Sequence, residues 1–354
     1  LSQGFPDFQA EPALFDAVHR HMLAGRNQYA PMAGVPELRQ AIVDKVAALY
    51  GPRFDAESEV TVTAGATQAI FTAIAAFVRP GDEVIVFEPV YDSYVPAIET
   101  VGGTAVFAQL KFPDYAPDWA QVAQLISPKT RLIIINSPHN PTGSLLTAVD
   151  LEKLANLVRG TDIVVLSDEV YEHILFDGEQ HASLCAHAEL AQRSIVVSSF
   201  GKTYHITGWK IGYVVGPADL MAEFRKVHQF NVFTVHTPSQ LALAEYMQDA
   251  SRHLGLAAFY QEKRDFFRKL MAATPFKLLP CRGTYFQLAS YAGLSELPDR
   301  AFAEWMTREV GVAVIPVSVF YANGRDDQVV RFCFAKQEST LRAAAERLHQ
   351  AFAK

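Results

Sequence analysis

Short runs of β-branched and aliphatic residues recur through the first two thirds of the chain and alternate with stretches of helical periodicity. This alternation restricts the fold more than any other feature. The runs are VIVF (84–87), RLIIINSP (131–138), IVVLSDEVY (163–171), RSIVVSSF (193–200) and IGYVVG (211–216). Each is too continuously apolar for a sheet with one wet face, and suits a strand buried on both faces of a mostly parallel sheet. Between them, PELRQAIVDKVAALYG sets Leu38, Ile42, Val46 and Leu49 on one stripe, with Pro36 at its start and Gly51 just past its end. TQAIFTAIAAFV is apolar on every side, as a helix inside a core is. The pattern predicts an α/β fold, with a doubly wound large domain over residues 36–250 whose central sheet is flanked by helices.

Over residues 251–354 the texture changes to longer amphipathic helices, such as the one carrying Leu341, Ala345, Leu348 and Phe352, with isolated strands TYFQLA and VVRFCFA between them. A smaller α+β domain is expected there. Residues 1–35, rich in Gly, Pro and aromatics, read as an arm that joins the small domain by lying across another surface.

The balance of Lys+Arg 31 against Asp+Glu 38 gives a formal net charge of -7, so no nucleic-acid partner is expected. The cysteines Cys185, Cys281 and Cys333 show neither disulfide nor zinc spacing. No apolar run is long enough for a membrane span, and LSQGFPDFQ lacks the layout of a signal peptide. A cytoplasmic location without membrane contact is the expectation. The chain opens on Leu1 rather than Met, which leaves a preceding segment open.

Ligands of α/β sheets bind beyond the carboxyl ends of the strands. The residues found there are chemically unusual: Asn140 in SPHNPTG, Asp168 and Tyr171 in SDEVYEH, and Ser199, Lys202 and Lys210 in SSFGKTYHITGWK. An amide, a carboxylate, a phenol and two amines thus share one rim. Taken singly, a lysine is usually a solvated surface residue and an Asn before Pro usually starts a turn. As a set they point to chemistry. A lysine held at the rim and partly desolvated near a second cation, Lys210, has a lowered pKa and becomes a nucleophile toward an aldehyde. HRH (19–21) and the group Asp168, Glu169, Glu172, His173 lack a known ligand spacing, so no metal is expected.

Together, SSFGKTYHITGWKIGY, NSPHNPTG, SDEVYEH, TAGATQAI, EPVYDSY and VVRFCF resemble the ordered signature set of class I, fold-type I pyridoxal-phosphate aminotransferases. The likeness runs from QGFPDF to RFCFAKQESTL and is greatest to the methionine aminotransferase and kynurenine/glutamine aminotransferase branch. The resemblance implies pyridoxal 5'-phosphate as cofactor, an amino acid donor, a 2-oxo acid acceptor and a homodimer. It assigns Lys202 as the Schiff-base lysine and proton carrier, Asp168 as partner of the ring nitrogen, and Tyr171 and Asn140 as partners of the ring oxygen. Gly65, Ala66, Thr67, Ser199 and Lys210 would cradle the phosphate, and Tyr91 would stack on the ring. Arg331, Asn140 and Gly4 would hold the substrate carboxylate. Tyr29 would reach the phosphate of a neighbouring subunit.

The family's aspartate enzymes supply a second cation from the segment matching QFNVFTVHTPSQ (229–240), which carries no Arg or Lys here. With Phe5, Phe233, Tyr91 and His236 expected near the mouth, an apolar or aromatic donor of the methionine, phenylalanine, kynurenine or glutamine type is predicted. The alternative is a pyridoxal-phosphate C–S β-lyase acting on cysteine conjugates on the same fold. A non-catalytic regulator would need a DNA-binding helical domain, and a nucleotide-binding protein would need phosphate-loop glycines. Neither is found in this sequence.

Overall fold

In the computed structural model, which describes residues 1–353, the expected strand runs join one seven-stranded sheet. Its strands are β1 (Val60–Thr63), β2 (Glu83–Glu88), β3 (Thr104–Gln109), β4 (Thr130–Asn136), β5 (Val164–Asp168), β6 (Ser194–Ser199) and β7 (Gly212–Val215). The order is β1-β7-β6-β5-β4-β2-β3. Strand β7 runs antiparallel to both neighbours, and the other strand pairs of the sheet are parallel.

The strands are continuously apolar because successive side chains feed opposite faces. In β4, Ile133 and Ile135 enter the core beneath helix α2 (Pro36–Tyr50), whereas Leu132 and Ile134 enter the one beneath helix α3 (Gly65–Phe77). Helix α3 is buried almost all round, as its composition requires, with only Thr67 exposed. The edge strand β3 lies outside the expected runs: its short apolar stretch AVFA (105–108) carries only one β-branched residue, and its residues are mostly half-buried.

A second, four-stranded sheet follows in the order β10-β11-β9-β8, built from β8 (Lys277–Leu278), β9 (Phe286–Ser290), β10 (Ile315–Pro316) and β11 (Val329–Cys333). All its pairs are antiparallel. The helices Leu256–Met271 and Glu338–Phe352 cover it around a separate core that includes Phe267, Phe302, Phe332 and Leu348.

The N-terminal segment divides between these two bodies. Leu1 O accepts from Cys333 N at 2.8 Å, and Asp7 carboxylate oxygens accept from Gln337 N at 2.6 Å and Thr340 Oγ1 at 2.9 Å, so the first residues lie on the smaller one. Helix α1 (Pro12–Leu23) packs instead against the helix Thr237–Tyr246 and contributes Leu14 and Ala17 to the larger core.

Candidate active site

The carboxyl ends of β4, β5 and β6 lie side by side, and each ends in a polar residue. Register pairs Asn136 with Asp168, and Asp168 with Val197. Asn136 acts as a local organiser: its Nδ2 donates to Asp168 O at 2.8 Å and its Oδ1 accepts from Asn140 N at 2.8 Å. Lys202 follows β6 on the single turn Phe200–Thr203, which Ser199 caps by accepting from Gly201 N at 3.2 Å. These residues line a cleft with Gly65, Ala66, Thr67, Tyr91, Asn140, Asp168, Tyr171, Ser199, Lys202 and Lys210 on its wall.

Asp168 is 4% exposed, and its Oδ2 accepts from Tyr94 Oη at 2.6 Å. Burial raises its pKa to about 6, against the opposing pull of that hydrogen bond and of Lys202. Lys202 Nζ donates to Tyr285 Oη at 2.8 Å and to Gly4 O at 3.2 Å. Its pKa is brought down to about 8 chiefly by burial, and Lys210 is a minor contributor. The expectation that a neighbouring cation activates this amine therefore holds only in part; desolvation is the main cause.

Lys210 adopts a left-handed conformation (φ 54, ψ 51) beside Gly65, which is itself left-handed at φ 79. A Cβ on Gly65 would stand 3.5 Å from Lys210 Cε. The turn thus brings an exposed ammonium over the amino end of α3, where unpaired N–H groups collect.

Arg331, at the centre of β11, is 7% exposed and lies over the Phe286 ring at 3.9 Å. Its Nη1 donates to Asn140 Oδ1 at 2.6 Å, and its Nε has no protein partner among the described residues. A buried guanidinium with an unused donor is placed for a carboxylate.

Gly4 reaches the site through its carbonyl, which Lys202 and Tyr285 both address. Tyr29 does not line this cleft; it is 85% exposed, with its ring 5.6 Å from Phe233. Phe233 and His236, expected at the mouth, lie on that same side of the chain near Tyr29. His173 is buried against His253 with ring centroids 4.9 Å apart.

The sequence reading missed Tyr94, Tyr285 and Asn136. Tyr94 lies within the EPVYDSY motif and opens the short helix Tyr94–Thr100, and its place in that motif was the available signal. Nothing local marks Tyr285, which arrives from the smaller body.

An amine of depressed basicity sharing a cleft with a buried carboxylate suits amino-group transfer, and this cleft belongs to an enzyme of that class. The family model for aminotransferase class I and II matches residues 1–348, and the chain belongs to this family. It is 51% identical to a methionine aminotransferase of Escherichia coli over 99% of this chain and 91% of that protein. It is 35% identical to kynurenine–oxoglutarate transaminase 1 of Rattus norvegicus over 99% of this chain and 91% of that protein. A crystal structure of an Escherichia coli methionine aminotransferase superposes with a TM-score of 0.97 at 51% identity, covering 99% of this chain and 93% of that one.

Proposed function

We propose that this aminotransferase uses pyridoxal 5'-phosphate to move the amino group of an apolar or aromatic L-amino acid to a 2-oxo acid, working as a cytoplasmic homodimer. The observation that carries the cofactor reading is that Lys202 and Asp168, which follow and end the adjacent strands β6 and β5, line one cleft. The donor set fits the group. Lys202 offers a depressed amine for an aldehyde, and Asp168 a buried anion for a ring nitrogen. Gly65, Ala66, Thr67, Ser199 and Lys210 offer N–H groups, a hydroxyl and an ammonium for a phosphate.

When bound, the cofactor supplies an aldehyde that takes up the amino group and an aromatic ring that draws electrons from the substrate's Cα. The chain's own residues do the rest. Lys202 would hold the cofactor's aldehyde carbon, and its neutral amine would take the substrate's Cα proton and hand it on to the carbon across the amino nitrogen, two atoms away. Asp168 would hold the ring nitrogen, where its fixed negative charge would keep a proton in place. Tyr171 and Asn140 would hold the ring oxygen, and Tyr91 would lie against the ring face. Arg331 binds the substrate carboxylate, with Asn140 and the Gly4 segment beside it. The exposure of Tyr29, Phe230 and Phe233 supports an apolar contact between two copies of the chain.

The functions of the relatives, methionine and kynurenine transamination, support an apolar or aromatic donor, as does a segment 229–240 without Arg or Lys. One spectrum tests the reading. Purified protein is expected to show the visible absorption of a lysine-linked cofactor, to lose it on addition of L-methionine and to recover it with a 2-oxo acid. If Lys202→Ala keeps both that band and turnover, the reading is wrong.

A further inference from the structure

Tyr285 precedes β9, and its side chain has no role in the reading above. It is fully buried, and its ring is fixed by Tyr171, Phe286 and Tyr260, with centroids at 5.2, 4.9 and 5.7 Å. The hydroxyl donates to Gly4 O at 2.6 Å, and the same oxygen accepts from Lys202 Nζ at 2.8 Å. A phenol has one proton. With that proton committed to the carbonyl, Lys202 meets a lone pair. Burial pushes the phenol's pKa well above its ordinary value, so the proton stays in place. Gly4 O supplies a second acceptor to the amine at 3.2 Å.

We propose that Tyr285 is a catalytic residue whose hydroxyl oxygen stabilises Lys202 as an ammonium while the substrate's Cα proton is being moved. This rests on the reading of Lys202 as the base. In that step the Cα–H bond breaks as an N–H bond forms on Lys202, and the electron pair of the broken bond stays with the substrate and its conjugated partner. The amine thereby gains a positive charge in a buried place, where burial has already weakened its hold on a proton. An acceptor fixed before the charge appears lowers the barrier, because nothing must reorganise when it forms. Two carbonyl and phenol oxygens, one from the N-terminal segment and one from the smaller body, are arranged in this way around a lysine of the larger one.

Tyr285→Phe removes one oxygen and keeps the ring. With the cofactor-loaded enzyme and L-methionine, single-turnover amino transfer is expected to slow about 10- to 100-fold, as for loss of one hydrogen bond to a charged group. The isotope effect from a Cα deuterium should grow, and affinity for L-methionine should change little. In the full chain stripped of cofactor, the pH of half-reaction of Lys202 with an amine reagent, read by peptide mass spectrometry, should fall by about one unit. Placing 3-fluorotyrosine at position 285, a poorer acceptor of nearly the same shape, should slow transfer by a smaller factor, which covers a Phe variant that folds badly. An unchanged single-turnover rate overturns the proposal, as does a slower rate with both the isotope effect and the Lys202 titration unchanged. Loss of turnover in Lys202→Ala with a wild-type Tyr285→Phe sinks this inference alone, whereas turnover surviving Lys202→Ala sinks the underlying reading.

Discussion

Arg331 Nη1 donates to Asn140 Oδ1 across 2.6 Å, joining β11 of the smaller body to the loop that follows β4 in the larger one. The bond orients the guanidinium, whose Nη2 also donates to Ser2 O at 3.5 Å, leaving Nε alone without a protein partner among the described residues. Arg331→Lys keeps the charge but loses the planar fork. We expect kcat/KM for L-methionine to fall about 100-fold, as befits loss of a bidentate charged contact. A steady-state comparison within threefold of wild type would rule out Arg331 as the carboxylate anchor.

The Tyr94 hydroxyl holds Asp168 in its ionised form. Burial sets the carboxyl at about 6, and the hydrogen bond opposes a further rise. Removing the bond in Tyr94→Phe should raise the Asp168 pKa, so the acidic limb of the kcat profile should move upward by about one unit. Asp168→Asn removes the charge altogether and should lower kcat roughly 10²- to 10³-fold.

Because burial disfavours its ammonium, Lys202 should become neutral, and reactive, as pH rises through about 8. An ordinary lysine does so at about 10.4. The rate at which stripped enzyme recombines with pyridoxal phosphate should therefore climb to about pH 8 and then level off. Continued increase toward pH 10, a mark on the order of the free-lysine value, would show the amine to be unshifted.

Behind the site, Glu172 accepts from Lys45 Nζ and Ser198 Oγ at 2.6 Å each and from Tyr50 Oη at 2.6 Å. Burial alone would raise its pKa, but the Lys45 ammonium holds it well below the usual range. Glu172→Gln should destabilise the fold by about 3–5 kcal/mol by leaving a buried cation uncompensated. Replacing both partners, as in Lys45→Met with Glu172→Leu, should restore much of that loss in a denaturant titration.

The same region predicts sensitivity to acid. His173 is held well below its usual value and His253 at about 4, both chiefly by burial, so the folded chain resists protons that the unfolded chain accepts near pH 6.5. Stability should be full above about pH 6.5 and fall as acid is added; Glu172 should join the decline below about pH 4.3, where its unfolded form protonates. Thermal midpoints measured from pH 7 to 4, a range of roughly these ordinary values, should drop steadily, and a flat profile would contradict the assignment.

With no cation in 229–240 to meet a side-chain carboxylate, kcat/KM for L-methionine should exceed that for L-aspartate by about 100-fold or more, because a desolvated unpaired charge is costly. Comparable turnover of the two would overturn the donor class.

Fold and chemistry were legible to different depths. Sequence by itself determined the strands buried on both faces, since the interior positions of β4 (132–135) and β5 (164–166) are apolar in succession and feed two cores. It also determined the rim residues Asn140, Asp168, Tyr171 and Lys202, because a strand's end fixes where the next few side chains stand. Edge strand β3 stayed hidden, half-buried and without a periodic mark. Tertiary structure alone decided which groups meet those side chains: Tyr94 on Asp168 across 74 residues, Tyr285 on Lys202 across 83, and Arg331 on Asn140 across 191. It also decided the strength of Lys202 as a base, which follows mainly from burial and not from Lys210 nearby in sequence. Hydrogen bonds between distant segments leave no periodic trace in a chain, and desolvation is a property of everything packed around a group, so both exist only once the two bodies and the N-terminal segment are folded together.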